Sequence, residues 1–268
     1  MKATFSNVSI LAMAHIDAPH VLTSAKIEDR LENTYKRLGL QKAFIENTTG
    51  IKERRYWDTG TPIDEIAVLA ANACIEKAGI ASAKIGVLIN TSVCRDYLEP
   101  SVACIIHGNL KLAPGCVNFD LTNACLGFID GMHVAAMMIE KRSINYALIV
   151  NAENPIFGID STINKLAEAD CTEAYFNNNF ATLTLGCGAA AMILCHKDLA
   201  SASPAFLGGV FQTATEYSRL CMAKPEKMQT DTRGLLRSGI ELGVKTAALA
   251  KWHEEEFDLF IPHQVSSA

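Results

Sequence analysis

Apolar and polar positions along the first 150 residues follow two periods in turn, one typical of strands and one typical of helices. Strands are predicted where apolar residues alternate or run together, over 6–16, 85–90, 117–121 and 145–150. Apolar residues at helical spacing predict helices over 24–38, 62–78, 100–110 and 126–140, with Thr23 or Ser24, Pro62 and Pro100 as start signals. Strands that alternate with helices are typical of an α/β layered fold with a mixed or parallel sheet.

The pattern changes after residue 152, and we predict two halves, 1–152 and 153–268. Residues 153–180 are rich in Asn, Asp and Glu and are predicted to be a surface insertion. Strands are predicted over 189–195, 206–214 and 257–261. A long helix is predicted within 225–252, and its inward side consists of Leu235, Leu236, Ile240, Val244 and Leu249.

Composition excludes several classes of function. Apolar residues make up 49% and charged residues 20% of the 268 residues, which allows a sizeable core. The net charge of −5 and the absence of a long basic run argue against nucleic acid as a partner. No apolar run reaches the roughly 18 residues of a membrane span, and the N-terminus does not resemble a secretory signal. Nine cysteines without a CxxC pair predict reduced thiols and a cytoplasmic location.

Cys125 is the strongest candidate for a catalytic residue. It lies where the strand 117–121 ends and the helix 126–140 begins. Amides at a helix N-terminus favour an anion, so a thiol at that point is easier to ionise. Ala124 and Gly127 are expected to leave room beside the sulfur. A free cysteine is more often a small buried apolar residue, and Cys74, Cys104, Cys187 and Cys195 are interpreted in that way.

His263 is the second candidate, because it follows the predicted strand 257–261 just as Cys125 follows the strand 117–121. A thiolate and an imidazole are the minimal pair for acyl-thioester chemistry. No close spacing of His, Cys and carboxylates predicts a metal site.

Glu99 and the pair Arg54–Arg55 are further candidates, and each has an ordinary structural interpretation. Next to Pro100, Glu99 fits an ordinary carboxylate at a helix start. The two arginines are either a solvated pair or a contact for a phosphate. The run Gly186-Cys187-Gly188 precedes a predicted strand instead of joining a strand to a helix, so a dinucleotide-binding motif is rejected.

Several motifs together resemble the thiolase superfamily, in its ketoacyl synthase III branch. The resemblance rests on residues 49–55 (TGIKERR), 123–128 (NACLGF), 186–191 (GCGAAA) and His263-Gln264. Within that branch the chain is most similar to the OleA family, the condensing enzymes of long-chain olefin biosynthesis. The longer motifs that carry this similarity are 14–19 (AHIDAP), 89–101 (INTSVCRDYLEPS) and 230–233 (TDTR).

The resemblance implies a thiolase-like fold of two related α/β halves in an αβαβα arrangement, and a homodimer. It implies a non-decarboxylative Claisen condensation of two fatty acyl-CoA molecules, with Cys125 acylated and His263 assisting. Glu99 would be the base that removes the α-proton, acting from the partner subunit. Arg54 and Arg55 would contact coenzyme A phosphates. No cofactor is implied beyond coenzyme A thioesters as substrates, and downstream olefin-pathway enzymes are possible partners.

Two departures from the family pattern leave alternatives open. The family completes its site with an asparagine downstream of the histidine, followed by a glycine-rich loop and strands, and the 268 residues stop before these. Thr48 stands where many relatives have a basic residue. The alternatives are a ketoacyl synthase III that uses a malonyl thioester, and a non-catalytic chain that only dimerises.

Overall fold

The computed structural model describes residues 1–251 and 256–263. Its centre is a five-stranded mixed sheet, in which the strands lie in the order β2 (Val8–Asp17), β8 (Gly188–His196), β7 (Tyr146–Glu153), β5 (Val87–Asn90) and β6 (Val117–Asp120). The strands β5, β6 and β7 are parallel to one another, and β8 is antiparallel to both β7 and β2. The α/β class predicted from the sequence is confirmed.

The elements follow in chain order. The strands are β1 (Lys2–Thr4), β2 (Val8–Asp17), β3 (His20–Thr23), β4 (Glu53–Tyr56), β5 (Val87–Asn90), β6 (Val117–Asp120), β7 (Tyr146–Glu153), β8 (Gly188–His196), β9 (Gly208–Val210), β10 (Cys221–Lys224) and β11 (Lys227–Thr230). The helices are α1 (Ser24–Arg30), α2 (Glu32–Leu38), α3 (Phe44–Thr49), α4 (Ile63–Ala78), α5 (Val102–Asn109), α6 (Gly127–Glu140), α7 (Ile156–Leu166), α8 (Glu173–Asn179) and α9 (Thr232–Ala250).

Helices cover both faces of the central sheet. On one face, Leu88 of β5 packs in a buried cluster with α4 and α5. On the other face, its neighbours Val87 and Ile89 pack with the inner side of α6. Because both faces are covered, β5 consists almost entirely of apolar residues, as the continuous apolar run predicted.

The prediction that residues 153–180 form a surface insertion is wrong. Helix α7 buries Ile159, Ile163 and Leu166 against Ile27 and Leu31 of the α1–α2 segment, in a third apolar cluster. Several of the polar residues that suggested an insertion are exposed, among them Asn164, Glu168 and Glu173, whereas Asn179 is buried. Helical spacing of the isoleucines, and not overall polarity, was the informative signal.

Three predictions in the second half are also corrected. The inward side proposed for α9 faces outward, since Leu235, Leu236, Ile240, Val244 and Leu249 are each 41% to 66% exposed. Residues 257–261 form no strand and are exposed. Strand β9 covers only three residues of the predicted 206–214. Spacing identifies the apolar side of an element but does not specify what covers it.

Smaller differences occur in the first half. The helix predicted over 24–38 is broken at Leu31 into α1 and α2, although Thr23 caps it as expected, through a bond from the amide of Lys26. The loop predicted over 49–57 contains β4, which pairs with β3. The division after residue 152 stays a prediction. Strand β8 follows that position in the sequence, but it lies between β2 and β7 of the first half and pairs with both.

No helix within 1–251 and 256–263 is long and apolar enough to cross a membrane.

Candidate active site

The candidate site lies at the edge of the sheet where the parallel strands β5, β6 and β7 end. Asn90, the last residue of β5, is in register with Asp120, the last residue of β6. The chain leaves β6 through Leu121 and reaches Cys125 five residues after Asp120. Ligand sites of parallel α/β sheets lie at this carboxyl edge.

The turn that holds Cys125 is tight and left-handed at one residue. Ala124 has φ of 44°, a conformation that costs free energy for a residue with a Cβ and that clusters at functional sites. The turn is closed by a 3.0 Å bond from Leu126 N to Asn123 O, and Asn123 Nδ2 donates to Asp130 Oδ2 at 2.6 Å. As a result, Cys125 is exposed, one residue before the N-cap of α6, Leu126.

Two glycines set how closely α6 approaches the strand ends. A Cβ on Gly127 would lie 3.1 Å from the carbonyl oxygen of Thr91 and 3.3 Å from that of Leu121. A Cβ on Gly131, one turn later, would lie 3.0 Å from Thr91 Cγ2. Gly127 therefore makes room for backbone carbonyls, and the sequence-based expectation that it leaves space beside the sulfur is corrected.

Six of the other eight cysteines differ from Cys125 in being buried or partly buried. Burial raises the pKa of Cys74 and of Cys116 to about 11, and that of Cys94 to about 12. Burial also raises the pKa of three further thiols, Cys171, Cys187 and Cys195. A raised pKa leaves a thiol protonated and a poor nucleophile at neutral pH. Cys104, which was expected to face the core, is exposed.

Glu99 lies in the loop from Thr91 to Ser101, which joins β5 to α5. Residues 95–100 of this loop are exposed, and the peptide bond from Glu99 to Pro100 is cis. The Arg95 guanidinium donates to Thr122 Oγ1 at 3.0 Å, so the loop contacts the segment that leads to Cys125. Helix α5 starts at Val102 with Ser101 as its N-cap, and Glu99 precedes this cap instead of standing in the first turn.

His263 is the last residue of the second described segment and is exposed. Among the residues that the structure describes, no hydrogen bond or ion pair joins Cys125, Glu99 and His263 to one another. The catalytic roles of these three residues stay predictions. Gln264 lies outside the described residues.

The alternation of β4 separates the two arginines. The Arg54 side chain is buried and donates to Leu22 O at 3.2 Å and to Ser24 Oγ at 3.1 Å, and burial lowers its pKa. Arg55 is exposed and donates to Ala18 O at 3.2 Å. The interpretation as a solvated pair is therefore wrong for Arg54. Its hydrogen bonds within the protein also argue against a contact with a phosphate. A phosphate contact stays a prediction for Arg55.

The motif 186–188 opens β8 and lies against β4. A Cβ on Gly186 would lie 3.2 Å from Arg54 Cβ, and the amide of Cys187 donates to Arg55 O at 2.9 Å. This close packing explains why residue 186 is a glycine, and it agrees with the rejection of a dinucleotide-binding motif. No group of three or more His, Cys, Asp and Glu side chains that could hold a metal occurs in the described part of the chain.

The sequence analysis did not single out Asp120 and Glu153, the last residues of β6 and β7. Glu153 accepts a hydrogen bond from the amide of Val93, in the loop that contains Glu99, and Asp120 accepts one from the amide of Val102, directly after that loop. Their position in the sequence could have identified them, because an acidic residue at the carboxyl end of a parallel strand lies at the edge of the sheet where ligand sites form.

Comparison with known proteins places this geometry in a family. The family described as 3-oxoacyl-[acyl-carrier-protein (ACP)] synthase III matches residues 119–208, which include Cys125. The acyl-CoA:acyl-CoA alkyltransferase of Xanthomonas campestris is 47% identical over 98% of this chain and 79% of its own length. The enzyme of the same name from Shewanella oneidensis is 33% identical over 98% of this chain and 80% of its own length.

A solved structure agrees with the sequence comparison. It is the crystal structure of a cysteine-to-serine variant of Xanthomonas campestris OleA with bound lauric acid and lauroyl-CoA. The match has a TM-score of 0.90 and 47% identity, over 92% of this chain and 74% of that one. The thiolase-like fold predicted from the sequence motifs is confirmed. The chain belongs to the acyl-CoA:acyl-CoA alkyltransferase family of thiolase-like condensing enzymes.

Proposed function

We propose that this protein catalyses the non-decarboxylative Claisen condensation of two long-chain fatty acyl-CoA molecules to a 2-alkyl-3-ketoacyl product, the first step of head-to-head olefin formation. The observation that carries the proposal is the exposed thiol of Cys125, which the strained turn at Ala124 holds at the carboxyl edge of parallel strands. Membership of the alkyltransferase family supports the reaction, and the lauroyl-CoA bound to the solved relative supports the class of substrate.

In the first half-reaction, the Cys125 thiolate attacks the thioester carbonyl of one acyl-CoA. The bond between that carbonyl carbon and the coenzyme A sulfur breaks, and the departing thiolate takes up a proton. The acyl group remains on Cys125 as a thioester. His263 would hold or transfer the proton, a role that its place in the family motif supports.

In the second half-reaction, Glu99 removes an α-proton from the second acyl-CoA. The resulting carbanion attacks the carbonyl of acyl-Cys125, and the bond to the cysteine sulfur breaks. The proton held by Glu99 then returns to the thiolate. A ketoacyl synthase III obtains its carbanion by decarboxylation of a malonyl group and needs no such base. Glu99 is therefore the residue that distinguishes the two chemistries.

We further propose that the protein is a homodimer and that Glu99 acts in the site of the partner subunit. The apolar residues beside Cys125 and Glu99 support a surface that a second copy covers, since Leu98 is 87% and Leu126 is 59% exposed. A base that acts across the interface does not need a contact with Cys125 of its own chain.

Coenzyme A thioesters are the only small molecules that this chemistry requires, and the proposal includes no other cofactor. Arg55 remains the candidate for a coenzyme A phosphate, because the residue is exposed and only one bond of its guanidinium, to Ala18 O, is described. All nine cysteines are free thiols, which supports the proposed cytoplasmic location. Contact with downstream olefin-pathway enzymes is proposed from the family resemblance.

Product analysis separates the proposal from its alternatives. The protein is incubated with one long-chain acyl-CoA and no malonyl donor, and the products are identified by mass spectrometry. We expect a 2-alkyl-3-ketoacyl product, or the ketone derived from it. A product that appears only after malonyl thioester is added would favour the ketoacyl synthase III reaction. Acylation of Cys125 without any product would favour the non-catalytic role.

A further inference from the structure

Two carboxylates hold the loop that contains Glu99, one at each end. Near its start, the amide of Val93 donates to Glu153 Oε1 at 2.7 Å and the amide of Cys94 donates to Glu153 Oε2 at 3.0 Å. Each carboxylate oxygen therefore accepts one backbone amide. Hydrogen bonds to an ionised acceptor are shorter and about twice as strong as neutral ones.

Asp120 makes the equivalent contacts directly after the loop, with the first two residues of α5. Its Oδ2 accepts from the amide of Val102 at 3.0 Å and its Oδ1 accepts from the amide of Ala103 at 2.8 Å, at the start of α5. Asn90 Nδ2 donates to the same Oδ1 at 3.0 Å, which fixes the orientation of the carboxylate. Ser101, which follows Glu99 and Pro100, is the N-cap of α5. The stretch that contains Glu99 therefore leads directly into a helix start that is bonded to Asp120 of β6.

The two carboxylates belong to the strands on either side of β5. Asp120 ends β6 and Glu153 ends β7, and β5 lies between these strands in parallel register. The loop therefore leaves β5, is bonded near its start to Glu153 of β7, and leads into helix α5, whose first turn is bonded to Asp120 of β6. Only residues 95–101 lie between the two sets of bonds, and Asp96 fixes this short stretch further by accepting from the amide of Ile63 at 2.9 Å.

We propose that Glu153 and Asp120 are positioning residues that hold Glu99 at the distance and orientation its role as base requires. This inference rests on the proposed function, in which Glu99 removes the α-proton. A base must lie within hydrogen-bond reach of the proton that it abstracts. Displacement of a reacting group by about 1 Å can lower the rate about a hundredfold.

Isosteric amides test this role with little change in volume. In Glu153→Gln, one carboxylate oxygen becomes an NH₂ donor that faces a backbone N–H donor, so one bond is lost and replaced by repulsion. Asp120→Asn has the same effect at the other end. Glu140 offers a matched control, because it also accepts from two backbone amides, those of Ser6 and Asn7, and it is the last residue of α6, at the helix end remote from Cys125.

The experiment measures the two half-reactions separately in the full chain. Acylation is followed by the first turnover of coenzyme A release, and condensation is followed by product formation from acyl-Cys125. We expect Glu153→Gln and Asp120→Asn to lower condensation about a hundredfold while acylation changes less than about threefold. We expect Glu140→Gln to change neither half-reaction by more than about threefold. A purely structural role would lower both half-reactions together.

Thermal unfolding of each variant identifies loss of the fold. Should both amide variants unfold, Asn151→Ala is a milder change, since it removes only the 3.3 Å bond to Glu153 Oε1 and a 3.4 Å bond to Thr91 Oγ1. A decrease of a few-fold in condensation alone would support the positioning role. Unchanged condensation, or a parallel decrease in acylation, would overturn it.

The reference variant Glu99→Gln separates this inference from the proposed function. If Glu99→Gln abolishes condensation and the amide variants at Glu153 and Asp120 do not reduce it, the positioning role is wrong and the base assignment stands. If Glu99→Gln condenses at the wild-type rate, the base assignment fails and the positioning role fails with it.

Discussion

Gly127→Ala tests whether the close approach of α6 to the strand ends sets the position of the nucleophile. The new Cβ would lie 3.1 Å from Thr91 O and 3.3 Å from Leu121 O. Both residues are held by sheet bonds, because the amide of Thr91 donates to Val150 O at 2.8 Å and that of Leu121 donates to Asn90 O at 2.8 Å. The start of α6 must therefore move by a few tenths of an ångström, and Cys125 moves with it.

The magnitude follows from two opposing terms. Overpacking of a well-packed site costs about 1–3 kcal/mol, and the replacement of glycine by alanine in a helix regains about 0.5–1 kcal/mol. The free energy of unfolding should decrease by about 0.5–2 kcal/mol, and the Tm should decrease by about 1–8 °C for a chain of this size. Because the displacement is smaller than 1 Å, we expect acylation to slow about tenfold.

Gly243→Ala is the matched control, since Gly243 lies inside α9 and a Cβ there meets nothing within 4 Å. This control should raise the Tm by about 1–4 °C and leave acylation unchanged. The assay measures Tm and first-turnover release of coenzyme A in both variants. If Gly127→Ala behaves like Gly243→Ala in both measurements, the helix approach does not determine where Cys125 lies, and the packing argument is refuted.

Three further predictions concern single side chains. Glu99→Gln should acylate Cys125 at the wild-type rate and lower condensation at least about a hundredfold, and equal loss in both steps would contradict a role as base. Arg55→Ala should raise the KM for acyl-CoA several-fold with a small decrease in Tm, because it removes one hydrogen bond, to Ala18 O. Arg54→Ala should lower the Tm more, because the acceptors Leu22 O and Ser24 Oγ both lose their donor. An unchanged KM in Arg55→Ala would exclude the phosphate contact. Because burial raises the pKa of Cys94 from 9.0 to about 12, the folded state retains a proton that the unfolded chain loses. This contribution to stability is complete below pH 9 and declines towards pH 12, so Cys94→Ala should show a smaller decrease in Tm over that range, and an identical decrease would contradict the assignment.

The central strands and the helices that cover them could be predicted because their apolar periodicity is strong. The run from Val87 to Asn90 is buried on both faces, and α4 starts after Pro62 as its start signal indicated. The joint at Cys125 was also predictable, since a strand pattern changes to a helical pattern at that point. The motifs that resemble the family identified the same residue independently.

Other features depend on contacts that a single sequence does not contain. The outward side of α9 and the buried side of α7 differ in what packs against them, although both have amphipathic spacing. The separation of Arg54 from Arg55 required the pairing register of β4 with β3. The roles of Asp120 and Glu153 required knowledge of which strands flank β5, and strand order is not encoded in local periodicity.

Mapping of the acyl group tests the central claim most directly. The protein is incubated with a long-chain acyl-CoA, digested and analysed by mass spectrometry, alongside Cys125→Ala and Cys104→Ala, in which another exposed cysteine is replaced. We predict one thioester adduct, on Cys125, which is absent from Cys125→Ala and present in Cys104→Ala. An adduct on a different cysteine, or an adduct that persists in Cys125→Ala, would contradict the account.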